Sequence, residues 1–242
     1  MKLSIIIRTW NRLEYTIRTI ASIDEKCGLK KEEYEIICVD QGSKDGTVEW
    51  LKFNSKEGYY PLVPIFCKDN TGDGGGMRIG ADAARGEFIA QHDNDLEIVT
   101  PEYYLALIEM YKSLEFKNKV CGVGGSHLQG INFDSAQIKF GEKRRNLNFR
   151  KESTFVYPVA WLTASFICRK KFADEYPKKL HCNSWLSYWW DKEYNNFLCR
   201  YLNFWHIDSD HKNGAHVQKQ HDKFPSYTHV FTHYSPFIKE KS

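Results

Sequence analysis

Two carboxylates spaced two residues apart, Asp93 and Asp95, follow the short apolar run Phe88-Ile89-Ala90-Gln91, with His92 before them and Asn94 between. Like charges this close at the end of a buried strand resist joint ionisation and desolvation unless a cation compensates them. Hard oxygen ligands of this kind suit Mg2+ or Mn2+, which commonly complete their coordination with water and phosphate oxygens. The pattern therefore points to a ligand carrying a diphosphate. Asp-Asn-Asp is also an ordinary turn sequence, so the neighbouring residues decide its meaning. Asp40 closes a second apolar run, Tyr34-Glu35-Ile36-Ile37-Cys38-Val39, where it can accept a nucleobase imide N–H. Trp10, in the turn after the first run, can stack on the base.

The elements that would position these residues alternate. Leu3 to Ile7 reads as a buried strand, and Tyr15 to Ile23 repeats its apolar positions every three or four residues as an amphipathic helix does. Tyr34 to Val39 is a second strand, Gln41 to Gly46 a turn, and Thr47 to Leu51 the start of a helix. Pro61 to Phe66 is a third strand. Asn70 to Gly76 reads as a glycine-rich turn leading to a helix through Ala84, and Glu87 to Gln91 is a fourth strand. A helix from Tyr103 to Leu114 and a strand from Val120 to Gly124 follow. The basic stretch Glu142 to Lys151 reads as a solvated loop. Val159 to Cys168 reads as one extended apolar segment, succeeded by two short helical regions and a histidine-rich tail. Strands alternating with helices imply a mostly parallel sheet with ligands at the carboxyl ends of its strands, where Asp40 and Asp93 fall.

Composition bounds the function. In 242 residues, 42% are hydrophobic and 27% charged, a globular balance consistent with one folding unit. No apolar run approaches the ~18 residues of a membrane span, and Arg8 interrupts the N-terminal run too early for a signal peptide. Seven scattered cysteines without a Cys-x-x-Cys pair predict free thiols in a reducing, cytoplasmic compartment. A net charge of +3 gives no case for nucleic acid. The turn Arg8-Thr9-Trp10-Asn11-Arg12 contains no glycine, which disfavours a dinucleotide-binding dehydrogenase, and no Gly-Lys-Ser/Thr follows Asn70 to Gly76, which removes a Walker-type loop.

These residues carry a resemblance to the family 2 glycosyltransferases of the GT-A fold. Leu3-Ser4-Ile5-Ile6-Ile7-Arg8-Thr9-Trp10-Asn11-Arg12 resembles the family's S-V-I-I-x-T-Y-N-R opening, and Val39-Asp40-Gln41-Gly42-Ser43-Lys44-Asp45-Gly46-Thr47 is similar to V-D-D-G-S-x-D-G-T. Asn70-x-Gly72, Gly86-Glu87-Phe88-Ile89 and Asp93-Asn94-Asp95 resemble N-x-G, G-E-Y-I and D-x-D in the same order. The resemblance implies an α/β GT-A fold with a Rossmann-like, mostly parallel sheet. Residues 1–125 would form a nucleotide-sugar-binding half and residues 126–242 a smaller acceptor-binding half. It further implies that Arg8, Thr9, Trp10, Asn11 and Asp40 hold nucleobase and ribose, and that Asp93, Asn94 and Asp95 hold ribose, metal and diphosphate. Arg78 stands where the family commonly has Asn in A-x-N-x-G, and an arginine there can reach the diphosphate.

The later half resembles the family through Tyr188-Trp189-Trp190-Asp191-Lys192-Glu193, similar to its acceptor-side W-E-D-x-D-L motif, with Trp190 where Glu is usual. Asp191 falls on the catalytic-base position and Glu193 on the second acidic one; the other reading of Asp191 is a carboxylate at a helix N-terminus. His206, His211, His216 and His221 are spaced by five, which on a helix spreads them over different faces. His211-Lys212-Asn213-Gly214-Ala215-His216 resembles the family's H-x-x-G-x-S, which makes His211 the metal-ligand candidate beside Asp93 and Asp95. Trp161, Trp185, Trp189 and Trp190 read as core residues, with one or two of them expected at an acceptor groove. The implied activity is inverting, Mn2+- or Mg2+-dependent sugar transfer from a nucleoside-diphosphate sugar, UDP or dTDP before GDP. The acceptor would be a hydroxyl of a glycan or lipid-linked intermediate in polysaccharide synthesis, with peripheral membrane contact left open. A sugar nucleotidyltransferase and a non-catalytic nucleotide-sugar-binding module are the rival readings.

Overall fold

The computed structural model describes residues 1–116, 118–127, 156–159, 162, 164–177, 186, 188–189 and 192–207. Within them the elements run β1 (Leu3–Thr9), α1 (Leu13–Lys26), β2 (Tyr34–Asp40), α2 (Thr47–Glu57), β3 (Leu62–Phe66), α3 (Gly72–Ala83), β4 (Phe88–His92), β5 (Leu96–Ile98), α4 (Tyr103–Glu115), β6 (Val120–His127), β7 (Val156–Val159), β8 (Ser165–Arg169), α5 (Lys170–Asp174) and β9 (Asn195–His206). The strands form one sheet in the order β3-β2-β1-β4-β8-β6-β9-β5, with β7 on β9.

β1 and β2 are buried at all seven of their positions, the pattern of parallel strands covered on both faces. Side-chain alternation then sorts their residues between two cores. Leu3, Ile5 and Ile7 join Tyr34, Ile36 and Cys38 beneath α1, α2 and α4, whereas Ile6, Ile37 and Val39 join Met77 and Ala81 of α3 on the opposite face. By the same alternation Arg8 turns toward α3 and Thr9 toward α1. Thr9 Oγ1 duly lies 2.7 Å from Thr16 Oγ1 of α1.

The glycine-rich segment differs from its reading as a turn, because Gly72 to Gly76 form the first turns of α3. Glycine costs about 1 kcal/mol relative to alanine inside a helix, and close approach to the sheet compensates. A Cβ on Gly80 would overlap Ile6 Cγ2, and one on Gly76 would lie 3.2 Å from both Arg8 Cγ and Gln41 Cδ.

Two other expectations change. The segment Val159 to Cys168 is not one strand: β7 ends at Val159, and Ala164 precedes β8 with a positive φ of 61°. Short helical stretches do follow β8, at α5 and at residues 186 and 188–189, but the long β9 then stands before the tail where no strand was expected, and β5 carries no periodic signal of its own. β9 pairs parallel with β6 and antiparallel with β5 and β7. At the sheet edges lie β3, with Pro64 at its centre, and the three-residue β5.

Candidate active site

β1, β2 and β3 end in step, and β4 ends two residues short of them. Thr9 is the register partner of Asp40, and Gln91, one residue short of the end of β4, pairs with Ile6. The loops leaving β1, β2 and β4 therefore rise at one rim of the sheet, as ligand-binding loops of open α/β sheets do.

Asp40 fixes the β2 loop by accepting the backbone N–H groups of Gly42 and Ser43 on Oδ2, both at 3.1 Å. Its other oxygen, Oδ1, is buried without a hydrogen-bond partner among the described residues. Gly42 makes the turn at φ 82°, with the Lys68 carbonyl 3.0 Å from where a Cβ would stand. The β1 and β2 loops are knitted together: Asn11 Oδ1 accepts from Lys44 N at 2.7 Å, and Asn11 N donates to Ser43 Oγ at 2.9 Å. Asp45 adds a double cap, accepting Leu13 N of α1 on Oδ2 at 2.9 Å and Thr47 N and Oγ1 of α2 on Oδ1 at 3.1 and 2.6 Å. That satisfies orphan N–H groups at the start of two helices at once. Trp10 stands beside this junction 51% exposed, free to offer a ring face.

The Asp93-Asn94-Asp95 turn meets β1 directly. Asn94 Nδ2 donates to Thr9 Oγ1 at 3.2 Å. Arg8 Nη2 donates to Asp93 Oδ1, and its Nη1 lies 2.5 Å from Asp73 Oδ1 in the first turn of α3. Arg12 Nη1 donates to Asp95 Oδ2 at 2.8 Å. The turn is braced from below by Asp93 N donating to the Ala164 carbonyl at 3.0 Å and Ile207 N donating to the Asp95 carbonyl at 2.6 Å.

His92, to which sequence reasoning gave no role, also sets the turn. Its Nε2 reaches the Leu96 carbonyl across Asp93-Asn94-Asp95 at 3.4 Å, so Nε2 carries the hydrogen. Nδ1 then accepts, from Tyr104 Oη at 2.9 Å or Ser165 Oγ at 3.0 Å, and Tyr103 Oη donates to Ser165 Oγ at 3.1 Å. Burial lowers its pKa to about 4, and the nearby Arg8 charge pushes the same way against the Leu96 bond. A histidine closing an apolar strand just before paired aspartates was the available signal.

Arg8, Thr9, Trp10, Asn11, Asp40, Asp93, Asn94 and Asp95 are thus all at or beside one rim. Arg78 is not brought to it. Two residues past Gly76 a helix has turned by about 200°, and the Arg78 guanidinium donates instead to the Ala173 and Tyr176 carbonyls at 3.2 and 3.4 Å. Glu193 is exposed at a φ of 67°, 3.9 Å from Lys119 Nζ. Trp189 is core, donating to the Phe172 carbonyl at 3.0 Å and stacked edge-on against Phe172 and Tyr194. Asp191, His211, Trp161, Trp185, Trp190 and the basic stretch lie outside the described residues.

The donor set suits a hard divalent ion in kind: two carboxylates on one turn, the number Mg2+ commonly takes from protein when substrate phosphates supply the rest. Among the described residues no three His, Cys, Asp or Glu side chains form a metal-holding group. A cation here would therefore lean on its ligand's oxygens.

The Glycosyl transferase family 2 profile matches residues 4–174, and the chain belongs to that family. Among relatives, an uncharacterized glycosyltransferase of Bacillus subtilis, YfnE, is 34% identical over 97 residues, 40% of this chain and 24% of its own length. The undecaprenyl-phosphate 4-deoxy-4-formamido-L-arabinose transferase of Yersinia enterocolitica is 30% identical over 96 residues, 40% of this chain and 29% of its own. The chain thus spans under a third of either relative. The mannosyltransferase PcManGT of Pyrobaculum calidifontis, solved with GDP-Man and Mn2+, superposes with a TM-score of 0.68 at 12% identity, covering 90% of this chain and 59% of that one. The S. aureus TarS 1-349 structure with UDP-GlcNAc gives 0.59 at 17%, covering 91% and 65%. The fold is GT-A, as the resemblance implied. No described helix is long and apolar enough to cross a membrane.

Proposed function

We propose that this chain is a glycosyltransferase that transfers a sugar, with inversion, from a pyrimidine nucleoside-diphosphate sugar to a hydroxyl of a glycan or lipid-linked acceptor, using Mn2+ or Mg2+. The observation that carries the reading is the buried, unpartnered Oδ1 of Asp40 at the rim shared with Trp10 and the Asp93-Asn94-Asp95 turn. A buried acceptor left unpaired costs about 1 to 3 kcal/mol, and a uracil or thymine imide N–H satisfies it where a carboxylate suits. Trp10 supplies a face for the base. Asp93 and Asp95 are the protein ligands of the cation, which when bound neutralises charge on the leaving diphosphate.

Neighbours with bound GDP-Man and Mn2+ and with UDP-GlcNAc support a nucleotide-sugar donor of some kind, and the Yersinia relative supports a lipid-linked acceptor. Asp191, by its motif position, is the base that takes the acceptor proton as the hydroxyl attacks the anomeric carbon. His211 is the proposed third metal ligand. Calorimetric titration of UDP, dTDP and GDP with and without Mn2+ tests the reading. Tighter UDP or dTDP binding that vanishes in EDTA is expected; GDP binding most tightly removes Asp40 from its role, and undiminished binding in EDTA removes the metal.

A further inference from the structure

Both carboxylates proposed to hold the cation already hold an arginine. Arg8 bridges Asp93 and Asp73, and Arg12 is on Asp95. Arg8 is nearly covered, its side chain 7% exposed, and its Cγ lies against α3, 3.2 Å from where a Cβ at position 76 would stand. The stem is thus confined, while the guanidinium sits beside Asp73 and Asp93, whose side chains keep 54% and 34% exposure. A cation meeting this turn faces two fixed positive charges as well as two carboxylates. Guanidinium groups, however, match phosphate as well as they match carboxylate, in the same forked geometry.

We propose that Arg8 and Arg12 are exchangeable counter-ions: they neutralise Asp93 and Asp95 in the ligand-free protein and pass to the diphosphate when donor and cation arrive together. The inference rests on the metal and diphosphate reading above. Its consequence is coupling. A cation alone competes with the arginines and binds poorly; a diphosphate alone meets arginines already engaged by carboxylates. Together each releases the partner that the other needs, so the two ligands bind with strong mutual dependence. Asp73 keeps Arg8 tethered beside the site during the exchange.

The test uses the full chain, isothermal titration calorimetry, free Mn2+, UDP in EDTA, and UDP with saturating Mn2+. An arginine within 4 to 6 Å of a bound divalent cation repels it, an effect on the order of tenfold or more in affinity. Arg8→Met should therefore bind free Mn2+ about tenfold or more tightly, yet bind UDP in saturating Mn2+ about tenfold or more weakly. Arg12→Gln, whose side chain is 38% exposed and whose loss the fold tolerates better, should move both affinities the same way by less. Lys56→Gln, an exposed lysine on α2 removing the same charge far along the helix, should move neither. Opposite-signed shifts in folded Arg8 or Arg12 variants establish the exchange. If wild type needs Mn2+ for UDP while both variants leave free Mn2+ affinity unchanged or lower, the exchange is wrong and the metal reading stands. If wild type binds UDP equally in EDTA, the metal reading and the exchange fall together.

Discussion

From β3 to β4 every pairing is parallel, the strand ends lie within two residues of one another, and the described rim residues come from three loops within the first 95 positions. From β8 to β5 the pairings alternate in sense, and β6 meets β9 with register shifts at Val120/Gly122 and Gly124/Ser126. The first half presents polar groups at one rim. The second braces that rim from behind, through Ala164, Ser165 and Ile207, while Phe172, Tyr188, Trp189 and Tyr194 form an aromatic cluster near α5. The contrast suggests a division of labour: donor binding belongs to the parallel half, and chemistry on the acceptor to residues carried by the other.

The largest effect that tests this division is on turnover. Asp191→Asn should lower the transfer rate by ~10² to 10⁴ while leaving donor affinity near wild type, because a general base acts only in the chemical step. If donor affinity falls equally, the division fails; if only melting shifts, Asp191 is a helix-end carboxylate and Glu193 is next to test. Asp95→Asn should weaken Mn2+-dependent UDP binding about a hundredfold, read by calorimetry, with the circular dichroism spectrum unchanged.

His92 tests the brace. Its pKa lies below the ordinary 6.5, at about 4, so the unfolded chain takes up a proton that the folded one refuses. The stability present above pH 6.5 is lost as pH falls toward 4, by an amount on the order of a few kcal/mol. His92→Gln should be less stable at pH 7.5 but decline less between pH 6.5 and 4.5 in urea melts. Equal slopes in both proteins would mean that the imidazole is not held neutral. The smallest expected effect is at Gly80. Gly80→Ala gains about 1 kcal/mol of helix propensity and loses about 1 to 3 to overpacking on Ile6, a net loss of about 1 kcal/mol with UDP affinity retained.

The sequence made the parallel half legible because its signals are local. Tyr34 to Val39 and Glu87 to Gln91 are apolar runs bounded by turns, and their ends foretold where Asp40 and Asp93 would stand. It misled at Gly72 to Gly76, since a glycine chosen for contact with a strand looks the same as one chosen for a turn. β9 was hidden because its partners are distant and it has neither period two nor period 3.6. The Arg8 bond to Asp93 spans 85 positions and follows from strand register, which no local pattern encodes.

Pro64 gives the sheet's outer margin a further meaning. It sits mid-strand in β3, where it offers no N–H to a neighbour. At the far margin β5 is only three residues long. Among the described residues these two margins are poor templates for a further strand, so ribbon extension there is discouraged and a peptide gains little by adding itself in register at either. At these two margins recognition is left to the loops above the strand termini.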